Sequence, residues 1–135
     1  MALAWCFPEE EDPFARQVLE WLRTARAVVP SIWHLEVANG LWVAERRRRL
    51  RPADAARFLA LVEGLDLQVD PLTSSQALRE TLALARKSSL AVYDAAYLEL
   101  AMREGLPLAT LDQGLRRAAV ALGVSTRLAA IPKQS

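Results

Sequence analysis

Three short apolar runs, each set between longer helical patterns, constrain this chain most: Ala27-Val28-Val29-Pro30, the alternating stretch Asp66–Asp70, and Leu106–Thr110. They are too short for helices and are bounded by proline or polar residues, as strands are. Between them, apolar residues recur at helical spacing. Phe14, Val18, Leu19, Trp21 and Leu22 share one side of a helix over 13–26. Ser31 is placed to cap a long helix to about Arg49, and Pro52 to begin another to about Glu63. Ser74 or Ser75 is placed to cap a helix to about Arg86. Further helices are expected over 91–104 and 113–122, with a last strand at Val124–Leu128. Gly64, Gly105 and Gly123 each follow a helical pattern, where a C-terminal cap is expected. Strands alternating with helices predict a helix-rich α/β fold around a mostly parallel sheet.

With 135 residues, 53% of them hydrophobic, the chain is read as one domain, 1–135, with enough apolar surface for a core. No run of 18 apolar residues is free of charge, so no membrane span is expected. The first residues lack a basic flank and lead into Glu9, Glu10, Glu11 and Asp12, unlike a secretion signal, so a cytoplasmic location is expected. Cys6 is the one cysteine and His34 the one histidine, which excludes an internal disulfide and a zinc site built on several Cys or His. A net charge of +1 argues against a generic polyanion binder but not against a local basic patch.

Three carboxylates are hard to explain as surface decoration. Asp94 has Tyr97, Leu98 and Ala101 as helical neighbours, an apolar face, while Glu99 and Arg103, four apart, read as an ordinary surface pair. A carboxylate on a buried face needs a partner, a metal or backbone amides near the helix start. Glu36 lies in a nearly all-apolar helix beside Asn39 and Gly40, or is simply a partly exposed glutamate near a helix start. Asp112 ends an apolar strand and precedes a helix, where it is either an N-cap or a residue at the ligand-binding end of an α/β sheet. Three such carboxylates, with no cysteine among them and one histidine in the chain, suit a hard cation, Mg²⁺ or Mn²⁺. Such an ion serves phosphodiester hydrolysis.

The segments carrying these acids resemble the PIN-domain family of VapC-like bacterial toxins. Residues 29–50 (VPSIWHLEVANGLWVAERRRRL) resemble its second motif, with Glu36 followed by Asn39. Residues 88–101 (SSLAVYDAAYLELA) resemble the third, with Asp94, and residues 106–119 (LPLATLDQGLRRAA) the fourth, with Thr110 and Asp112 as Thr-x-Asp. The resemblance implies an α/β/α sandwich with about five strands in a central parallel sheet. It also implies Mg²⁺- or Mn²⁺-dependent RNA cleavage at Glu36, Asp94 and Asp112, with Thr110 and Asn39 in support. The partners it implies are a cognate antitoxin and a second copy in a homodimer. Met1–Pro8 resembles the segment just after the family's first aspartate, so that strand and its carboxylate are expected upstream of Met1. The competing reading is a shortened, catalytically impaired protein that acts through antitoxin or self binding.

Arg46 to Arg49 with Arg51 form the densest basic run, readable as a grip on RNA phosphates or as a solvated helix end. Arg46 and Arg47, with Arg116 and Arg117 beside Asp112, are the candidate RNA contacts. The four tryptophans, Trp5, Trp21, Trp33 and Trp42, are expected in core or dimer packing, with base stacking as the other use.

Overall fold

The computed structural model describes residues 12–127. The expectations for Met1–Pro8, Cys6, Trp5 and Leu128 lie outside them. The described residues divide into two compact units, 12–27 with 32–67, and 28–31 with 68–127.

The first unit opens with α1 (Pro13–Leu22), started by Asp12, whose Oδ1 accepts from the Phe14 and Ala15 N–H groups at 2.8 and 3.0 Å. Proline at N1 loses no helical bond. Ala15, Val18 and Leu22 form its buried stripe. The helix stops at Leu22 rather than 26, where the Arg23 N–H turns back to the Glu20 carbonyl and the Thr24 N–H to the Trp21 carbonyl. Next come α2 (Trp33–Arg46) and α3 (Pro52–Glu63). Ser31 is not the α2 cap: Ile32 holds that position without a side-chain bond, and the Ser31 N–H donates to Thr73 Oγ1 in the second unit's own network. Leu41 and Ala44 of α2 pack with Leu50, Ala55 and Phe58, and Trp33, Val37 and Val62 close this core from its margin. At roughly 1.5–3 kcal/mol per buried large apolar side chain, that cluster is what holds the two helices together.

Strands β1 (Ala27–Val29) and β2 (Leu67–Val69) form a small two-stranded parallel sheet. The helices between them make the crossover that parallel pairing requires. Its outer bonds run from the Ala27 N–H to the Asp66 carbonyl (3.1 Å) and from the Asp70 N–H to the Val29 carbonyl (2.8 Å). The expected strands at 106–110 and 124–128 are not found among the described residues: 106–110 and 124–127 form no ladder and are joined by the Leu108 N–H to the Ser125 carbonyl at 2.8 Å. The sheet of the described residues therefore has two strands, not about five.

In the second unit the helix expected to start at Ser74 or Ser75 starts at Thr73. It runs as α4 (Thr73–Gln76), a π turn (Ala77–Thr81) and α5 (Leu82–Ser88). Asp70 anchors its approach, Oδ1 accepting from the Leu72 N–H and Oδ2 from the Thr73 hydroxyl. Helix α6 (Val92–Glu104) is the spine of this unit, with Ala95 and Leu98 completely buried. Leu98 and Ala101 pack with Leu108 and with Leu115 and Ala119 of α7 (Gln113–Ala121). Gly105 ends α6 at φ 65°, a left-handed position that glycine takes without penalty.

Glu99 and Arg103 do not make the surface pair that their spacing suggests. Glu99 is buried, and Arg103 Nε and Nη2 donate to its two oxygens at 2.8 and 3.0 Å. The same guanidinium spans buried Asp70. A third partner 33 residues upstream draws the pair inward.

Candidate active site

Helix α6 begins at Val92, which puts Asp94 in its first turn, immediately before the buried Ala95-Ala96 step. Its carboxylate is half-buried. Among the described residues no hydrogen bond or ion pair reaches it, so the backbone-amide explanation open at the level of sequence does not apply. Burial pushes its pKa up, and the negative charge of Asp112 pushes it further.

Asp112 is held from several sides. Its N–H donates to the hydroxyl of buried Thr110 at 3.1 Å, which closes the Thr-x-Asp turn. Its Oδ1 accepts from the Leu115 N–H at 2.7 Å and so caps α7. Arg116 donates from Nη2 to the Thr110 carbonyl at 2.9 Å, fixing the turn from the helix side. Gly114 is a contributor that sequence reasoning missed. A β-carbon there would lie 3.3 Å from Asp112 Oδ1, tighter than most side chains tolerate, and the signal was the glycine one residue into an expected helix.

The structure thus brings Asp94 and Asp112 within electrostatic reach of each other. Glu36, in the first turn of α2, and Asn39 are exposed and belong to the first unit. Arg116 is half-buried in its bond to Thr110, and Arg117 is exposed. Arg46 and Arg47 are exposed at the end of α2. Among the described residues no three or more His, Cys, Asp or Glu side chains gather into a group that could hold a metal ion. The Asp94–Asp112 pair still has the donor chemistry of a hard-cation site: carboxylate oxygens alone, one of the acids lacking any hydrogen-bond donor among the described residues.

Known proteins match the chain over these elements. The PIN domain family matches residues 2–121, a span that includes Glu36, Asp94, Thr110 and Asp112. Ribonuclease VapC3 of Pyrobaculum aerophilum is 39% identical over 80 residues, covering 59% of this chain and 61% of that protein. The chain therefore spans about 61% of the length of the curated relative that it matches. A family match over most of the chain, on a helix-rich α/β fold with a small parallel sheet, shows that this protein belongs to the PIN-domain family and is VapC-like.

Proposed function

We propose that this chain is a metal-dependent endoribonuclease, the toxin of a toxin–antitoxin pair. The observation that carries the reading is the half-buried Asp94 carboxylate, which has no hydrogen-bond donor among the described residues and stands against the charge of Asp112. Two acids that repel each other are costly unless a cation is bound between them. The match to a protein named as a ribonuclease supports the choice of RNA.

In this reading Asp94 and Asp112 hold Mg²⁺ or Mn²⁺, and Glu36 is the acid that the first unit offers to the same chemistry. A bound divalent ion supplies an acidified water and charge stabilisation for in-line phosphodiester hydrolysis. The protein's task is placement. The Thr110 hydroxyl and the α7 cap fix the Asp112 backbone and Oδ1, which leaves Oδ2 for the ion. Asp94 stands at the start of a helix whose next turn buries Ala95, Ala96 and Leu98, so its position is rigid. Asn39, one turn after Glu36, supports that acid, and Arg117 is placed to meet the RNA backbone. A cognate antitoxin, a homodimer and a cytoplasmic site of action belong to the same proposal. No helix among the described residues is long and apolar enough to cross a membrane.

The test is cleavage of single-stranded RNA in Mn²⁺ by the wild type and Asp94→Asn, with Mn²⁺ binding followed in parallel. The nuclease reading requires that the variant stay folded, bind Mn²⁺ more weakly and lose cleavage. A variant that cleaves as well as wild type sinks it, and Mn²⁺ binding unaffected by the substitution favours the impaired, partner-binding alternative.

A further inference from the structure

The end of α2 gathers a charge that the chain as a whole lacks. Six arginines and two acids lie between positions 45 and 57 in a protein of net charge +1. Arg51 and Arg57 engage Asp54. Arg46, Arg47 and Arg48 are exposed, and no acidic side chain among the described residues neutralises them. Cations at a helix C-terminus are favoured by the dipole, which would account for one or two of these residues in any helix.

Arg48 is not accounted for in that way. It closes the helix at φ 56°, with its N–H on the Glu45 carbonyl (3.0 Å) and the Arg49 N–H on the Ala44 carbonyl (2.9 Å). Helices that end like this place glycine there, because a β-carbon in the left-handed region is penalised. An arginine is kept where the backbone favours glycine. Trp42, six residues earlier, is 56% exposed, so of the core or dimer packing expected of it the core does not apply. The Arg46 guanidinium lies over its ring, 5.7 Å from the centroid.

We propose that Trp42 and Arg46–Arg48 form a grip for single-stranded RNA, the indole stacking on a base and the arginines holding the flanking phosphates. The choice of RNA rests on the ribonuclease reading above. The chemistry of the patch supports it over an acidic peptide. A base has a π face to lay on the indole, whereas a carboxylate is repelled by that face. The arginine fork also matches phosphate oxygens in pairs.

The experiment is fluorescence anisotropy of a labelled single-stranded oligoribonucleotide with the full-length chain in EDTA, across a salt series, so that binding is read without cleavage. In R47A/R48G the slope of log affinity against log salt should fall by about 0.7 for each phosphate no longer held. Trp42→Ala should weaken binding by about fivefold or more, and Trp42→Phe should keep most of it. Arg48→Gly alone should leave the melting temperature equal or higher, so that weaker binding cannot be put down to unfolding. Unchanged affinity and slope in R47A/R48G would overturn the proposal. So would a wild type that does not bind the RNA, or polyglutamate of matched charge competing as well as RNA, which would assign the patch to an acidic peptide. Cleavage by Asp94→Asn in Mn²⁺ scores the nuclease reading separately, because the grip is measured with the metal removed.

Discussion

Arg103 takes hold of Asp70 with both terminal nitrogens, Nη1 to Oδ1 at 3.0 Å and Nη2 to Oδ2 at 2.7 Å, while its Nε and Nη2 serve Glu99 on its own helix. One guanidinium therefore ties the segment after β2 to the last turns of α6. Taking three charges out of water is expensive, and the geometry returns that cost only while all the bonds are made.

Arg103→Ala should accordingly destabilise the fold by about 3 kcal/mol, the low end for breaking a buried pair, since the arginine keeps some solvent contact. Urea unfolding of the two proteins measures it. A loss within the scatter of surface substitutions would mean that Asp70 and Glu99 find water or other donors.

The same network sets a pH dependence. The Arg103 hydrogen bonds hold the Asp70 carboxyl below the usual carboxylate range; burial opposes them, and the Leu72 N–H and the Thr73 hydroxyl add to them. A carboxyl depressed in the folded state adds stability above its unfolded pKa, about 3.9, and loses it as pH falls through the lower folded value. Wild type should thus lose this contribution below about pH 4, and its advantage over Arg103→Ala should shrink across the same interval. Parallel curves for the two proteins would place the acid response elsewhere.

Asp94→Asn carries two opposite expectations. Burial and the Asp112 charge both disfavour the ionised form, so without divalent metal the neutral variant should melt at a higher temperature than wild type. Under the proposed function it should also lose cleavage down to background. A variant that is both less stable and inactive would show that the carboxylate is structural.

Thr110 separates placement from packing. Thr110→Val keeps the shape but removes the acceptor for the Asp112 N–H, at about 1 kcal/mol, and Thr110→Ser keeps the acceptor. If Thr110 positions Asp112, the valine variant should lose kcat more than KM, and serine should restore it. Equal kcat in all three would make the hydroxyl irrelevant to the chemistry.

Local signals were legible in the sequence where one residue fixes one event. Pro52 and the Glu63-Gly64 step bound α3 as expected, and Asp112 caps α7, one of the two roles open to it. Expectations failed where a distant partner decides. The Glu99–Arg103 spacing reads as a surface pair until Asp70 pulls it inward. Ser31 reads as a cap, yet Ile32 takes that position and the Ser31 N–H goes to Thr73. The apolar run at 106–110 reads as a strand, yet one bond to Ser125 does not make a ladder. At the candidate site, the Asp94–Asp112 pairing and the Thr110 turn agree with the motif spacing. The lack of a donor for Asp94 among the described residues and the room left by Gly114 depend on three-dimensional neighbours.

The π turn at Ala77–Thr81 winds more slowly than the α-helix on either side. The segment before it and the segment after it are therefore out of phase by about one residue, or 100° of rotation. Leu84 and Ala85 face the core in one phase, and Thr73 meets Asp70 in the other. Deleting one residue between Ala77 and Thr81 would restore regular winding and yet swing Thr73 off the Asp70 carboxylate. In this helix the number of residues, more than their identity, decides which two sides of the unit it can serve at once.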